Sequence, residues 1–293
     1  MKKKLLALTL CLILLFNLFA MTGCLSIPGL IAPTPDPDPD PTPDPDPTPD
    51  PDPTPDPEPI GPVEGIDDPE KYSDFDLSEQ KLRDALGQAL QKNALAILRY
   101  DGQFPGNISK DGAYGTITNT KGWWSGFWTG MLWHAYELSD EDGFKSEALS
   151  QIDSYYTRIE EKLGVNNHDM GFLYSPSCVA AYKLAGDERA RDAAIMAADH
   201  LITRYHEEAG FIQAWGNVGE EEEFRLIVDC LMNIPLLYWA SEVTGDEKYA
   251  DIAYQHFKTT MSVCYREDGS TYHTYFFDAK TYEPLRGRRS SWS

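Results

Sequence analysis

The chain has 293 residues, of which 42% are hydrophobic and 12% aromatic, enough for one substantial globular domain. Its formal net charge of −22 argues against nucleic acid as a partner, because nucleic acids are themselves polyanions. An anionic small substrate is not excluded, since salt screens surface charges within about 10 Å at 0.1 M and a pocket can differ locally.

Residues 1–23 predict a lipoprotein signal peptide. Lysines at 2–4 precede the apolar run LLALTLCLILLFNLFA, and MTGC follows, ending at Cys24. A basic start, an apolar stretch and small residues before the cleavage point are typical of secretory signals. The ending resembles a bacterial lipobox, which implies lipidation of Cys24 and a membrane-anchored, extracytoplasmic location. An ordinary secretory signal and an N-terminal membrane helix are the alternatives, although the run is short for a span of roughly 20 residues.

Residues 24–69 predict a disordered spacer behind the lipidated cysteine. Between 33 and 59 every odd position is proline, and the interleaved residues are Thr, Asp or Glu. Such a segment cannot form a helix or bury apolar surface, and its charges repel one another. At about 3.1 Å per residue in polyproline II it would reach roughly 80 Å. We therefore predict a spacer between the membrane and a domain at 70–293, with low-complexity filler as the alternative.

The pattern from residue 70 to 264 is mainly helical. Leu82, Leu86 and Leu90 recur at the spacing of one helix face. Six further helices are predicted over roughly 126–139, 144–163, 175–185, 188–206, 229–244 and 247–264. Proline fits a first helical turn or a kink, so Pro235 favours a later start for the helix drawn at 229–244.

Three turn segments have a loosely repeated composition: AYELSDEDGF, AYKLAGDERA and ASEVTGDEKY. Each ends one predicted helix and opens the next, which indicates an array of helical hairpins. An α-solenoid is the alternative, although its loops seldom collect so many tryptophans and acids. Residues 266–284 lose the helical period and alternate with aromatic residues, which predicts a β-hairpin or an extended excursion.

Two aspartates are candidates for catalysis. Asp229 interrupts the apolar run RLIVDCLMNIPLLYWA, and burial there would raise its pKa, so that it keeps a proton for general acid catalysis. Asp169, in the loop NNHDMGF, could reach the same rim of a hairpin array, and neighbouring carboxylates cannot easily both ionise. The alternatives are structural: Asp229 as a helix N-cap, and Asp169 as a turn residue with Gly171 at positive φ.

Aromatic residues concentrate at 122–137 and near 215. Trp123 and Trp215 lie in predicted loops, where flat rings suit the apolar face of a sugar. Phe127, Trp128 and Met131 fit a buried helical face instead.

Polar partners for a sugar are fewer. His168 and His273 are candidates for binding a ligand by hydrogen bonds. No pair of His, Cys, Asp or Glu has the spacing of a known metal motif, and the cysteines left after the signal give no disulfide framework. We therefore predict neither a metal nor a cofactor.

Five motifs, taken in chain order, resemble the unsaturated glucuronyl hydrolases of glycoside hydrolase family 88: WWSGFWTGMLWHAYE, NHDMGFLYSPS, FIQAWG, LIVDCLMNIPLLYWASEVTGD and DGSTYHTYFFD. The resemblance covers about residues 75–286 and implies an all-α fold, the (α/α)6 toroid of helical hairpins. It implies as the partner an oligosaccharide that a polysaccharide lyase has left with a 4,5-unsaturated uronic acid at its non-reducing end.

The resemblance also implies an unusual reaction, hydration of the enol-ether double bond. The residue matching Asp229 protonates C4 of the sugar and then takes a proton from the water that adds at C5, after which the hemiketal opens and the glycosidic link breaks. Asp169 matches the second acid, which binds the sugar and tunes Asp229. The substrate-binding positions that the resemblance implies are Trp123, His168, Trp215 and His273, with a supporting role for Asn233.

The resemblance stops after Arg286 and Gly287. The family continues with Gln-Gly and Trp-x-Arg-Gly-Gln motifs and further helices, where this chain has RRSSWS. About seven helices are predicted where a closed toroid needs twelve, so we expect an incomplete toroid whose activity the absent motifs call into question. Two alternative functions stay open: an unsaturated rhamnogalacturonyl hydrolase of similar fold, and a non-catalytic glycan-binding lipoprotein.

Overall fold

The computed structural model describes residues 78–288. The signal peptide predicted at 1–23, the lipidation of Cys24 and the spacer lie outside these residues. The first described helix begins after Ser78, whose hydroxyl accepts a hydrogen bond from the backbone N–H of Lys81 at 3.3 Å. Across 78–288, no helix combines the length and the apolar character that a membrane span requires.

The described residues form seven helical rods, the number predicted from periodicity. Two rods are compound: α3 and α4 follow each other directly, and a π-helical turn at Ser175–Val179 joins α5 to α6. The helices are α1 (Glu79–Tyr100), α2 (Ser125–Ser139), α3 (Asp142–Ser150), α4 (Ile152–Glu160), α5 (Met170–Tyr174), α6 (Ala180–Ala185), α7 (Glu188–Ile202), α8 (Pro235–Thr244) and α9 (Lys248–Cys264).

Helix α8 begins at Pro235, as the proline indicated, and not at 229. Proline has no N–H to leave unpaired in the first turn, and its fixed φ suits that position. The preceding residues form a separate 3-10 turn, Val228–Met232. Asp229 therefore lies in a connection between a strand and a helix, six residues before the helix starts, and the N-cap alternative for it is wrong.

Short antiparallel sheets occupy the connections between helices. The strands are β1 (Phe104–Lys110), β2 (Ala113–Ile117), β3 (Tyr205–His206), β4 (Phe211–Ile212), β5 (Arg225–Ile227), β6 (Thr274–Phe277) and β7 (Pro284–Arg288). β1 pairs with β2, β3 pairs with β4, and the third sheet has the order β5-β6-β7. The excursion predicted at 266–284 is confirmed as β6 and the beginning of β7.

The main core lies between the helices, with α4 packed on α7. Small side chains allow α7 to approach its neighbours closely, and its buried alanines are Ala190, Ala193, Ala194, Ala197 and Ala198. On α2, Trp128 is buried as predicted, whereas Phe127 and Met131 are exposed, so the prediction for those two residues is wrong. Leu132 and Ala135 continue the face of Trp128 at helical spacing, while positions 127 and 131 lie about 100° and 60° from Trp128, on the side away from Leu132.

Gly126 brings the backbone of α2 directly against that of α5. A Cβ at this position would overlap the carbonyl oxygen of Phe172. We expect Gly126→Ala to lower the free energy of unfolding by about 1–3 kcal/mol, because the backbone neighbour cannot rotate away. Gly87→Ala is the control: nothing lies within 4 Å of that site in α1, so it should add up to about 1 kcal/mol. Urea unfolding measures the free energy of unfolding of both variants. Equal midpoints would contradict the close contact between Gly126 and the backbone of Phe172.

Candidate active site

Two carboxyl groups and one imidazole meet where α5 begins beside the turn that follows β5. Nε2 of His168 lies 3.4 Å from Oδ1 of Asp169 and 3.3 Å from Oδ1 of Asp229. One ligand atom from each residue lies within 4.8 Å of the others. We call these three residues the acid cluster. The structure therefore places the two aspartates, which are sixty positions apart in the chain, in one site.

Asp229 faces outward from the end of β5. Its neighbours Leu226, Ile227 and Cys230 are buried in the core, while its own side chain is 43% exposed. The expectation that Asp229 is sunk among aliphatic residues is therefore corrected: apolar neighbours in the sequence occupy the interior, and the 3-10 turn directs the carboxyl to the rim. The N–H of Val228 donates to the carbonyl of His273 at 2.8 Å and holds this turn in place.

Asp169 occupies the N-cap position of α5, but its side chain makes no capping hydrogen bond. Its backbone N–H donates instead to Oδ1 of Asn167 at 3.0 Å. Gly171 does not take a positive φ, so that part of the turn alternative is wrong. It lies inside α5, where a Cβ would overlap the backbone of Asn233. The carboxyl of Asp169 is thus buried without serving the helix end.

Burial and the charge of Asp229 together raise the pKa of Asp169 to about 7. The guanidinium groups of Arg158 and Arg204 act in the opposite direction on that pKa. Burial also raises the pKa of Asp229, while nearby His273 lowers it. Two such carboxyl groups can hold a proton between them near neutral pH, which is what a general acid requires.

His168 is fully buried between the two carboxyl groups. Burial lowers its pKa to about 3, so the imidazole is neutral near pH 7. Because the side chain has no exposed surface, we revise its predicted contact with the sugar to a contact with the two carboxyl groups. Its backbone N–H donates to the carbonyl of Ala214 at 3.0 Å, which holds the loop before α5 against the segment that leads to Trp215.

The acid cluster is also compact enough to hold a metal ion through one nitrogen and two oxygens. The prediction of a site without a metal stays a prediction. The cysteines of the described part, Cys178, Cys230 and Cys264, are buried and unpaired, so no disulfide braces residues 78–288.

Two exposed tryptophans border this region. The ring of Trp215 lies 6.4 Å from that of His168, centroid to centroid. The ring of Trp123 lies 5.2 Å from that of Phe172 in α5. Trp123 also lines an apolar groove of about 700 Å³ between α1, β1–β2 and α2, which neither aspartate lines. Trp215 is therefore the tryptophan whose ring neighbours the acid cluster.

Asn233 and His273 occupy different environments. Asn233 is fully buried, and its Oδ1 accepts a hydrogen bond from the backbone N–H of Phe172 at 2.9 Å, which suits the supporting role assigned to it. His273 is exposed, and its Nδ1 lies 2.8 Å from Oγ1 of Thr274. Its ring remains available to a ligand at the rim beside Asp229.

Three buried residues that shape the site were missed from the sequence: Arg158, Arg204 and Gln213. Gln213 donates from Nε2 to the carbonyls of Trp215 and Asn217 at 2.7 and 2.8 Å, and it thereby folds the loop that carries the tryptophan. Buried arginines are rare. Nothing in the segments YYTRIEEK and LITRYHEE distinguishes Arg158 and Arg204 from arginines on the surface.

The raised pKa of Asp169 makes a specific prediction about stability. Because the pKa in the folded state is about 7, against 3.8 for an ordinary aspartate, the folded protein binds more protons than the unfolded chain between these pH values. Its stability therefore falls as the pH rises from about 4 to 7, by up to about 1.4 kcal/mol per pH unit. Asp169→Asn removes this loss, so we expect its melting temperature to exceed that of the wild type by at least roughly 2–4 °C at pH 8.

The difference between variant and wild type should shrink as the pH falls and level off below about 4, where the aspartate carries its proton in both the folded and the unfolded protein. Asp251→Asn, at an exposed position on α9, serves as the matched control and should show no such trend. A difference between Asp169→Asn and wild type that is independent of pH would contradict the raised pKa. Scanning calorimetry at several pH values makes the measurement.

Comparison with known proteins identifies the family. The model of Glycosyl Hydrolase Family 88 matches residues 97–292. The chain is 42% identical over 226 residues to an unsaturated chondroitin disaccharide hydrolase of Streptococcus pneumoniae, a match covering 77% of this chain and 57% of that protein. Among solved structures, unsaturated glucuronyl hydrolase from Streptococcus agalactiae matches with a TM-score of 0.74 and 41% identity, covering 77% of this chain and 57% of that one.

Unsaturated glucuronyl hydrolase from Bacillus sp. GL1, described as responsible for the degradation of glycosaminoglycan, matches with a TM-score of 0.68 and 38% identity, covering 70% of this chain and 55% of that one. The chain thus spans just over half the length of these relatives. Its helices correspond to part of their α/α toroid, as predicted. On the family match and on these identities, the chain belongs to Glycosyl Hydrolase Family 88.

Proposed function

We propose that this protein hydrolyses lyase-generated oligosaccharides that carry a 4,5-unsaturated glucuronic acid at the non-reducing end, by hydration of the double bond. The observation that carries the proposal is the acid cluster, in which a buried carboxyl with a pKa of about 7 lies beside a partly exposed one. The names of the relatives, which are hydrolases of unsaturated chondroitin disaccharides and unsaturated glucuronyl groups, support the same class of substrate.

In the proposed reaction Asp229 is the acid that touches the sugar, because it is the exposed member of the acid cluster. It donates its proton to C4 of the double bond, and the positive charge that develops at C5 is shared with the ring oxygen. Water then adds at C5 and returns a proton to the Asp229 carboxylate. The hemiketal so formed opens, and the aglycone leaves.

In this proposal Asp169 keeps its predicted roles of binding the sugar and tuning Asp229, and His168 supports the step from between the two carboxyl groups. A second carboxyl within 4.8 Å makes it unfavourable for both groups to be ionised, so a proton is retained in the pair. The neutral imidazole of His168 lies against both carboxyl groups and adds no positive charge that would favour their ionisation.

The direct test is the ultraviolet absorbance of the C4=C5 bond in purified unsaturated disaccharides. We expect the absorbance to fall with unsaturated chondroitin disaccharides as substrate. Loss restricted to disaccharides from rhamnogalacturonan would contradict the proposed substrate and favour the alternative enzyme. Binding of the disaccharide without any loss would contradict catalysis and favour a glycan-binding lipoprotein.

We also propose that Cys24 is lipidated and holds the protein at the bacterial cell surface, at the end of the spacer. The support is the order of basic, apolar and small residues up to Cys24. Mass spectrometry of the mature N-terminus in a bacterial host tests this proposal. Recovery of Cys24→Ala and wild type in the same soluble fraction would contradict it.

A further inference from the structure

Arg204 is a buried arginine that donates to three oxygens in two segments of the chain. It follows α7, and its Nε donates to the carbonyl of Gln213 at 2.8 Å. Its Nη1 donates to Oδ1 of Asn166 at 3.0 Å, and its Nη2 donates to the carbonyl of Gly216 at 3.0 Å. The whole planar fork is therefore used to hold backbone and amide groups in place.

The segments held by Arg204 are those that border the acid cluster. Asn166 stands two residues before His168, and Gly216 directly follows Trp215. The same two segments touch through the hydrogen bond from the N–H of His168 to the carbonyl of Ala214. Arg204 consequently braces the loop that carries the buried members of the acid cluster against the loop that carries the exposed tryptophan.

We propose that Arg204 is a positioning residue for the proposed reaction, on which this inference rests: its fork fixes the separation between the acid cluster and the Trp215 ring. A uronic ring stacked on Trp215 then presents C4 to Asp229 at a set distance. Lysine cannot take over this task, because a single ammonium group does not span three acceptors in fixed directions. A misplacement of about 1 Å between reacting groups can lower a rate by roughly 10²-fold.

The charge of Arg204 has a second, separable effect. The groups that act on Asp169 are Asp229 across the site, Arg158 from α4 and Arg204 from the end of α7, with His168 in contact. The two guanidinium groups lower the pKa of Asp169, so loss of one positive charge raises that pKa further. A substitution that keeps the charge leaves this effect in place, and one that removes the charge does not.

Two variants separate the fork from the charge. Arg204→Lys keeps the charge and loses the fork, whereas Arg204→Met loses both. For an unsaturated disaccharide we expect kcat/KM to fall about 10²-fold in both variants. The pH above which activity declines should stay unchanged in Arg204→Lys and move to higher pH in Arg204→Met.

Ile152→Ala is the control for lost stability, because it opens a cavity in the core at the start of α4. Below its unfolding temperature, this variant should keep kcat/KM within about twofold of the wild type.

Hydrogen exchange gives a readout that does not need turnover, so a failure of the proposed function is distinguishable from a failure of this inference. In Arg204→Lys we expect amide protection to fall together in segments 166–169 and 213–217, while α2 and α9 keep theirs. Loss of protection in only one segment, or in neither, would overturn the brace. So would a folded Arg204→Lys variant that keeps the wild-type kcat/KM.

Discussion

Asp229→Asn is expected to lower kcat by about 10²–10⁴-fold for unsaturated disaccharides while leaving the helical circular dichroism unchanged. Asparagine has nearly the same shape as aspartate but carries no acidic proton for C4 and accepts none from water. Because Asp229 is partly exposed and makes no hydrogen bond that supports a helix end, its replacement should disturb the fold little.

The matched control for this result is Asp251→Asn, which changes the net charge equally at an exposed position of α9. It should retain full turnover. Initial rates from double-bond absorbance and disaccharide binding by calorimetry separate a lost chemical step from lost affinity. If Asp229→Asn turned over as fast as the wild type, Asp229 would have no place in the proposed reaction.

Arg158→Met is expected to lower the free energy of unfolding by at least about 3 kcal/mol. The guanidinium of this buried residue donates to the carbonyls of Gly122, Leu163 and Gly164 at 2.8, 3.1 and 3.0 Å. It also donates to Oδ1 of Asn119 at 3.0 Å. Methionine fills part of the volume but leaves the three carbonyls without this donor, while Oδ1 of Asn119 keeps the hydrogen bond from the Ser125 hydroxyl. Each buried group left unsatisfied costs about 1–3 kcal/mol.

Arg83→Met provides the contrast, since Arg83 lies on the surface of α1 and pairs with Glu79 one turn away, both side chains being largely exposed. Exposed pairs of this kind contribute little, so the change should stay within about 0.5 kcal/mol. Thermal unfolding of the two variants beside the wild type makes the comparison. A similar melting temperature for both would contradict the structural role of Arg158.

The helices were predictable because their signals are local. The spacing of apolar residues located the helical rods, and the proline at position 235 marked the start of α8. A local signal for the β1–β2 hairpin was overlooked: Asp111 and Gly112 both take positive φ, and Asp-Gly is a favoured hairpin turn. The strands themselves are mostly exposed, and glycine and proline interrupt them, so they lack the hydrophobic alternation on which the prediction relied.

The residues of the site were predictable from the sequence, but the burial of their side chains was less so. The pairing of Asp169 with Asp229 followed from residue type and resemblance, but which of the two is buried depends on how a 3-10 turn leaves β5. The brace formed by Arg204 was beyond reach, because its partners Asn166, Gln213 and Gly216 come together only in the folded chain. Side-chain burial arises from contacts distant in sequence, and a single sequence does not report them.

The glycine contacts of α5 determine which parts of the site can move. Gly126 meets the backbone of Phe172, and Gly171 meets the backbone of Asn233, without a side chain between them. Close-packed backbones of this kind resist sliding, so α2, α5 and the turn before α8 should respond to a ligand as one rigid body. Adaptation to ligands of different size is then left to exposed side chains such as that of His273, since Arg204 also holds the segment that carries Trp215.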